Sequence, residues 1–210
     1  MALERVVVVG ASLAGLRAAE TLRSDGYVGE LTIVGDEPHR PYDRPPLSKQ
    51  LLTGEWDADR TWLAAGIGDA LDVTWELGTA ATTLDLEGRS VGLADGRSLP
   101  FDGAVIATGA TPRTLAGSEQ LSGVHTLRTL DDAQAIRSRL VAGVHRLVVV
   151  GAGFIGAEVA ASARGLGIEV TLVEPLAQPL ARVLGPTVGQ VVDDLHRAHG
   201  VDVRLDVGVD

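Results

Sequence analysis

The apolar positions of this chain fall into a few unbroken runs, each ended by a glycine-rich break. Val6–Val9 is a pure valine run, the pattern of a parallel strand buried on both faces rather than one with a wet face. It stops at Gly10. The following Gly15–Ser24, GLRAAETLRS, mixes Ala, Leu, Arg and Glu as a helix does, and Gly26 suits the helix end. Leu31–Val34 is a second apolar run, closed by the acidic pair Asp36-Glu37. The same order then returns. Leu147–Val150 predicts a strand, Gly151–Gly156 a turn, Ala157–Leu166 a helix and Glu169–Val173 a second strand ending at Glu174. VVVVGASLAG and LVVVGAGFIG are therefore two copies of one β-α-β design.

Between the copies the pattern shortens. Val73–Glu76, Ala80–Asp85 and Arg89–Leu93 predict strands of a small β-meander, and Asp95-Gly96 is a hairpin turn signal. Ala104–Ala107 predicts a buried strand that runs into Thr108-Gly109-Ala110-Thr111-Pro112-Arg113, a sharp exit. The boundary is placed there, giving domains over 1–113 and 114–210. Asp131–Leu140 predicts a helix with acids in its first turn and arginine in its last.

Each glycine turn carries a specific chemistry. The first glycine allows the tight turn, the second lets the backbone approach a diphosphate, and the third lets helix and strand pack closely. The unpaired N–H groups of the helix start then face the anion, and the acid ending the second strand accepts from a ribose hydroxyl. In the first copy Ser12 replaces the second glycine; its Cβ is small and its hydroxyl can donate to a phosphate. The second copy has all three glycines. The fold class expected is α/β, with two Rossmann-like dinucleotide-binding units. Glu174 would repel a 2′-phosphate and favours NAD(H), while Arg182 pulls the other way.

Composition narrows the function. The chain has 210 residues, 45% of them hydrophobic, enough for a real core. A net charge of −10 disfavours nucleic acid and anionic membranes as partners. No cysteine is present, which removes thiolate metal sites and redox dithiols from these residues. The apolar run after Arg5 is too short for an export signal or a membrane span, so a cytoplasmic protein is expected. His196 and His199 stand as H-x-x-H on an expected helix, but no third metal ligand is suggested and a solvated helix end explains them. All but one of the 18 cationic residues are arginine. The exception, Lys49, lies in the proline-rich Arg40–Leu51, RPYDRPPLSKQL, where prolines exclude a helix over the first half and one can begin near Ser48.

The blocks VVVVGASLAGLRAAETLR, PYDRPPLSK, VIATGATPR, LRTLDDA and VVVGAGFIGAEVA occur in this order along the chain. In this the sequence resembles the NADH-dependent ferredoxin reductases, flavoproteins of the pyridine nucleotide oxidoreductase group with two dinucleotide-binding domains. The resemblance implies FAD in the first unit and NAD(H) in the second. It implies that Gly10, Ser12, Leu13, Ala14 and Gly15 line the FAD diphosphate and that Asp36 and Glu37 meet its ribose. Arg44, Lys49, Ala81, Ala107, Thr108, Gly109 and Arg128 would complete that pocket, with Lys49 at the isoalloxazine. Gly151, Gly153, Ile155 and Gly156 would hold the NAD(H) diphosphate and Glu174 its ribose. Arg182 stays in the candidate set. Glu158, read as a first-turn helix acid, would sit by the nicotinamide and pair with Lys49; these two are the catalytic candidates. Electrons would leave to a ferredoxin-type 2Fe–2S partner, because no redox cysteines stand near the flavin. A rubredoxin reductase, an NADH-dependent flavin oxidase and a non-catalytic nucleotide-binding fragment are the alternatives. Members of the group are longer, so both domains are expected to be incomplete and the chain to be truncated at its C-terminus.

Overall fold

The computed structural model describes residues 3–63, 71–118 and 120–209. The chain forms two compact units, Met1–Asp43 with Thr61–Thr111, and Arg44–Arg60 with Pro112–Asp210. The sequence reading ran the first segment unbroken to residue 113; in the structure Arg44–Arg60 belongs with the second unit. The neck of that excursion is closed inside the first unit. Asp43 N–H donates to the Thr61 carbonyl at 2.7 Å, and Tyr42 and Trp62 form an antiparallel bridge.

The first unit contains β1 (Arg5–Val9), α1 (Leu13–Ser24), β2 (Glu30–Gly35), β3 (Thr74–Leu77), β4 (Ala81–Asp85), β5 (Ser90–Leu93), β6 (Ser98–Pro100) and β7 (Gly103–Ile106). A parallel sheet runs β3-β2-β1-β7, with Val6 opposite both Leu31 and Gly103. Val8 and Ile33 are fully buried on it, together with Ala19 of α1. On the opposite face Val7, Val9 and Val34 pack against Val91 and Leu93 of the antiparallel β4-β5-β6 meander and against Phe101, the residue after β6. This two-sided burial is why β1 reads as unbroken valine. Arg23 ties the end of α1 to the unit by donating to the carbonyls of Tyr27, Gly29, Leu71 and Asp72.

The second unit holds a 3-10 turn at Pro45–Ser48, α2 (Gln50–Thr53), α3 (Leu130–Val141), β8 (Arg146–Val150), α4 (Phe154–Gly165), β9 (Glu169–Glu174), α5 (Ala181–Ala198) and β10 (Asp202–Leu205). The sheet order β10-β9-β8 is again parallel. Its core joins Val149, Leu172 and Val203 to Ala160 and Ala163 of α4, to Ile136 and Leu140 of α3, and to Leu52 of α2. Pro45 and Pro46 open the 3-10 turn, where their missing N–H groups are not needed. Thr129 and Asp132 form a reciprocal capping box at the start of α3. The helix expected around His196 and His199 is α5, whose full span is not marked in the sequence, and β10 carries no sequence signal of its own. α5 is kinked at Gly185 (φ 76°), directly before Pro186.

His199 Nδ1 lies 2.8 Å from the Leu195 carbonyl, whereas His196 is buried. Among the described residues no cluster of three or more ligands could hold a metal, and no helix is long and apolar enough to cross a membrane. Burial pushes the His196 pKa below its ordinary 6.5; Asp193 opposes this and His199 adds to it. The unfolded imidazole therefore binds a proton before the folded one does. Stability should fall as pH drops below about 6.5 and go on falling toward the folded pKa. Denaturant titrations at successive pH values check this, and His196→Gln should flatten that part of the slope.

Candidate functional site

The two glycine turns have the same construction. In the first unit Gly10 follows β1 with φ +124°, and its N–H donates to the Val34 carbonyl at 2.8 Å. A Cβ on Gly10 would lie 2.0 Å from the Ala107 carbonyl oxygen, and one on Gly15 would lie 1.9 Å from the Gly10 carbonyl oxygen. In the second unit Gly151 has φ +97° and donates to the Val173 carbonyl at 2.8 Å. A Cβ on Gly156 would lie 1.9 Å from the Gly151 carbonyl oxygen. The first and third glycines are thus demanded by the protein's own backbone.

The middle position differs. Gly153 has φ −74° and ψ −175°, an extended conformation open to any residue, and a Cβ there would meet nothing within 4 Å. Nothing in the chain requires glycine, and the space its hydrogen faces is the space a close-lying ligand would fill. Ser12 occupies the equivalent place in the first turn at φ −118°, ψ −165°. The open place at Gly153 fits a diphosphate in the second unit; in the first unit the same place holds a small side chain with a hydroxyl. Bare backbone N–H groups at the start of α1 and α4 stand beside exposed Leu13, Ala14, Gly153 and Ile155. Both helices begin earlier than the sequence reading placed them, at Leu13 and Phe154, so Gly15 and Gly156 lie within the first turn.

The acids at the strand ends are already engaged. Glu174 is buried. Its Oε2 accepts the Ala152 N–H at 2.7 Å and its Oε1 the Leu176 N–H at 3.0 Å. It braces the turn as well as facing it, a role the sequence reading did not foresee. Each carboxylate oxygen keeps a second acceptor site. Glu174→Ala should lower the stability of the second unit by about 2 kcal/mol, since two backbone donors lose a charged partner in a buried place; denaturant unfolding measures this. Asp36 is exposed, whereas Glu37 Oε2 accepts from the buried Tyr42 hydroxyl at 2.5 Å. Tyr42 stood in the quoted proline-rich block, but nothing there marked it as the partner of Glu37.

The remaining first-unit candidates sit at strand ends. Ala81 opens β4 at a bulge; Ala107 donates its N–H to the Val9 carbonyl at 2.7 Å; Thr108 and Gly109 (φ 72°) are exposed just beyond β7. In the second unit Arg44 Nη1 donates to the Arg128 carbonyl at 2.6 Å, and the Arg128 N–H donates to Asp132. Arg182 is exposed in the first turn of α5.

Lys49 and Glu158 are brought together. Lys49 Nζ lies 2.8 Å from Glu158 Oε2, with both side chains a little over one-third exposed. The same oxygen accepts from the Ser48 hydroxyl at 2.5 Å, and Ser162 Oγ donates to the Ser48 carbonyl at 2.7 Å. Glu158 is the fifth residue of α4, a turn later than the sequence reading placed it. Burial works against its ionisation, but the hydrogen bonds from Lys49 and Ser48 and the Lys49 charge outweigh it. The carboxyl is held below its ordinary range.

Residues 4–210 match the pyridine nucleotide-disulphide oxidoreductase family along nearly the whole chain. The chain belongs to that family. It is 42% identical over 206 residues to the ferredoxin–NAD(+) reductase component of a p-cumate 2,3-dioxygenase system from Pseudomonas putida, covering 98% of this chain and 51% of that protein. It is also 42% identical over 208 residues to a rhodocoxin reductase from Rhodococcus erythropolis, covering 97% of this chain and 48% of that protein. Among solved structures, putidaredoxin reductase in a covalent complex with putidaredoxin superposes with a TM-score of 0.93 at 39% identity, over 99% of this chain and 51% of that one. The chain spans about half the length of the curated relatives it matches. These 210 residues contain no cysteine.

Proposed function

We propose that the protein carries the FAD- and NAD(H)-binding units of an oxidoreductase that passes electrons from NADH through FAD to a ferredoxin-type 2Fe–2S protein. The observation that carries this reading is the open second-glycine position at Gly153 within a turn built like that of the first unit. Its relatives include a reductase component named for ferredoxin, and a putidaredoxin reductase of similar structure was captured in covalent complex with putidaredoxin.

The residues divide the work by their chemistry. The Gly10–Gly15 turn binds the FAD diphosphate through backbone N–H groups and the Ser12 hydroxyl, with Asp36 and Glu37 at the adenosine ribose. The Gly151–Gly156 turn does the same for NAD(H), and the spare acceptor sites of Glu174 take the ribose hydroxyls. When bound, FAD supplies the conversion of a two-electron hydride into single electrons. Lys49 places a positive charge where negative charge develops on reduction, and Glu158 holds that ammonium in place. Glu158 does this only while ionised, so the support is lost as pH falls through its depressed pKa.

Electron transfer from NADH to cytochrome c through a purified 2Fe–2S ferredoxin tests the assignment. Reduction that requires both this protein and the ferredoxin is expected. Bound flavin with no ferredoxin-dependent reduction would overturn the partner assignment, and absence of flavin binding would overturn the cofactor assignment.

A further inference from the structure

Ser48 is a polar side chain that is only 4% exposed, in a stretch that otherwise buries leucine and proline. Its two ends are held by one face of α4. The carboxylate of Glu158 takes the Ser48 hydroxyl, and the hydroxyl of Ser162, four residues further along α4, donates to the Ser48 carbonyl. The proton directions follow from the groups themselves. A carbonyl can only accept, so Ser162 donates. An ionised carboxylate can only accept, so Ser48 donates. The Pro45 carbonyl also lies 3.4 Å from Ser48 Oγ, but one hydroxyl proton goes to the shorter, charge-assisted contact at 2.5 Å.

Lys49 is the next residue. Its backbone, at φ −122° and ψ −104°, joins the 3-10 turn to α2, and its ammonium meets the oxygen that Ser48 has already fixed. From the elements packed on this part of α4, Lys49 is the charged group acting on Glu158 among the described residues.

We propose that Ser48, gripped by Ser162, is a positioning residue that fixes Glu158 Oε2 and with it the Lys49 ammonium. The kinetic consequence rests on the functional reading above; the structural one does not. Ser48 supplies one of the two donors that hold the carboxylate ionised against burial. Without it Glu158 turns more freely and Lys49 loses a fixed target.

The test follows the carboxyl carbon of Glu158 by NMR against pH in the cofactor-free protein, with the resonance assigned by its loss in Glu158→Gln. Ser48→Ala should raise the Glu158 midpoint by about one pH unit. Ser162→Ala should raise it by roughly half as much, because the hydroxyl remains but is less well aimed. Ser48→Thr keeps the donor and should restore the wild-type titration. If Ser48→Ala does not fold, Ser48→Cys decides, since its weak S–H donor should give an intermediate rise. A Glu158 titration unchanged in Ser48→Ala, or in Ser48→Cys where that variant is needed, would show Ser48 to be packing alone and overturn the proposal. In the NADH- and FAD-loaded protein, the acid limb of flavin reduction should move upward with the same midpoint. A moved titration in a protein that never reduces flavin would sink the functional reading and leave the positioning role standing.

Discussion

Gly156→Ala should unfold the second unit, while Gly153→Ala, three residues away, should leave it as stable as the parent and weaken NADH binding about tenfold or more. The contrast separates what the fold needs from what a ligand needs. A Cβ on Gly156 would sit 1.9 Å from the Gly151 carbonyl oxygen, a backbone atom of the same turn that no side-chain rotation can move aside. Relief requires α4 to lift from β8, at a cost of roughly 3 kcal/mol or more, comparable to severe core overpacking. On Gly153 the added methyl meets no protein atom within 4 Å and the backbone is already in an ordinary extended conformation. Such a substitution even reduces the entropy of the unfolded chain slightly. Its penalty should appear only when a diphosphate tries to approach the backbone. Thermal unfolding and equilibrium NADH titration of both variants check the pair; equal NADH affinity in Gly153→Ala and parent would remove the argument for a diphosphate at that turn.

Lys49→Met should lower the rate of flavin reduction by NADH by about a hundredfold with little change in stability. The ion pair with Glu158 is more than one-third exposed on both sides, so its loss should matter little to folding. Its charge matters where negative charge builds up during reduction, and methionine offers similar length without that charge. Lys49→Arg should recover only part of the rate, because a planar guanidinium cannot place its charge as the compact ammonium does. Stopped-flow absorbance of the flavin measures both variants. Comparable rates in Lys49→Met and parent would place Lys49 outside the reaction.

The parts of this fold that were legible in sequence are those whose local pattern and tertiary burial agree. Val6–Val9 reads as a strand because both faces of β1 are covered, and Glu169–Val173 reads as one for a similar reason. The extent of α5 beyond its histidine end is hidden because its pattern misleads. Val183, Leu184, Val188, Val191 and Leu195 are exposed while Asp193 and His196 are buried, and Gly185-Pro186 interrupts the first turns. β10 was hidden because Asp202 and Arg204 dilute a short strand whose one buried position is Val203. The excursion of Arg44–Arg60 into the second unit has no local signal at all. Its prolines look like a linker, and only packing of Leu51 and Leu52 in the second unit reveals where it belongs.

The candidate site divides in the same way. The glycine turns were readable because backbone sterics fix their spacing. The partners of the acids were not. Glu174 bonds to backbone N–H groups, Glu37 to Tyr42 and Glu158 to Ser48, and each contact depends on the path of the folded chain. Ser162 offered one faint signal, its place four residues after Glu158 on the same helix.

If one turn holds FAD and the other NAD(H), electrons pass between the two cofactors. Anaerobic addition of NADH to the flavin-loaded protein, followed by absorbance, tests this most directly. The oxidised flavin bands should bleach with one NADH consumed per flavin. Flavin that stays oxidised while NADH remains unconsumed would contradict it.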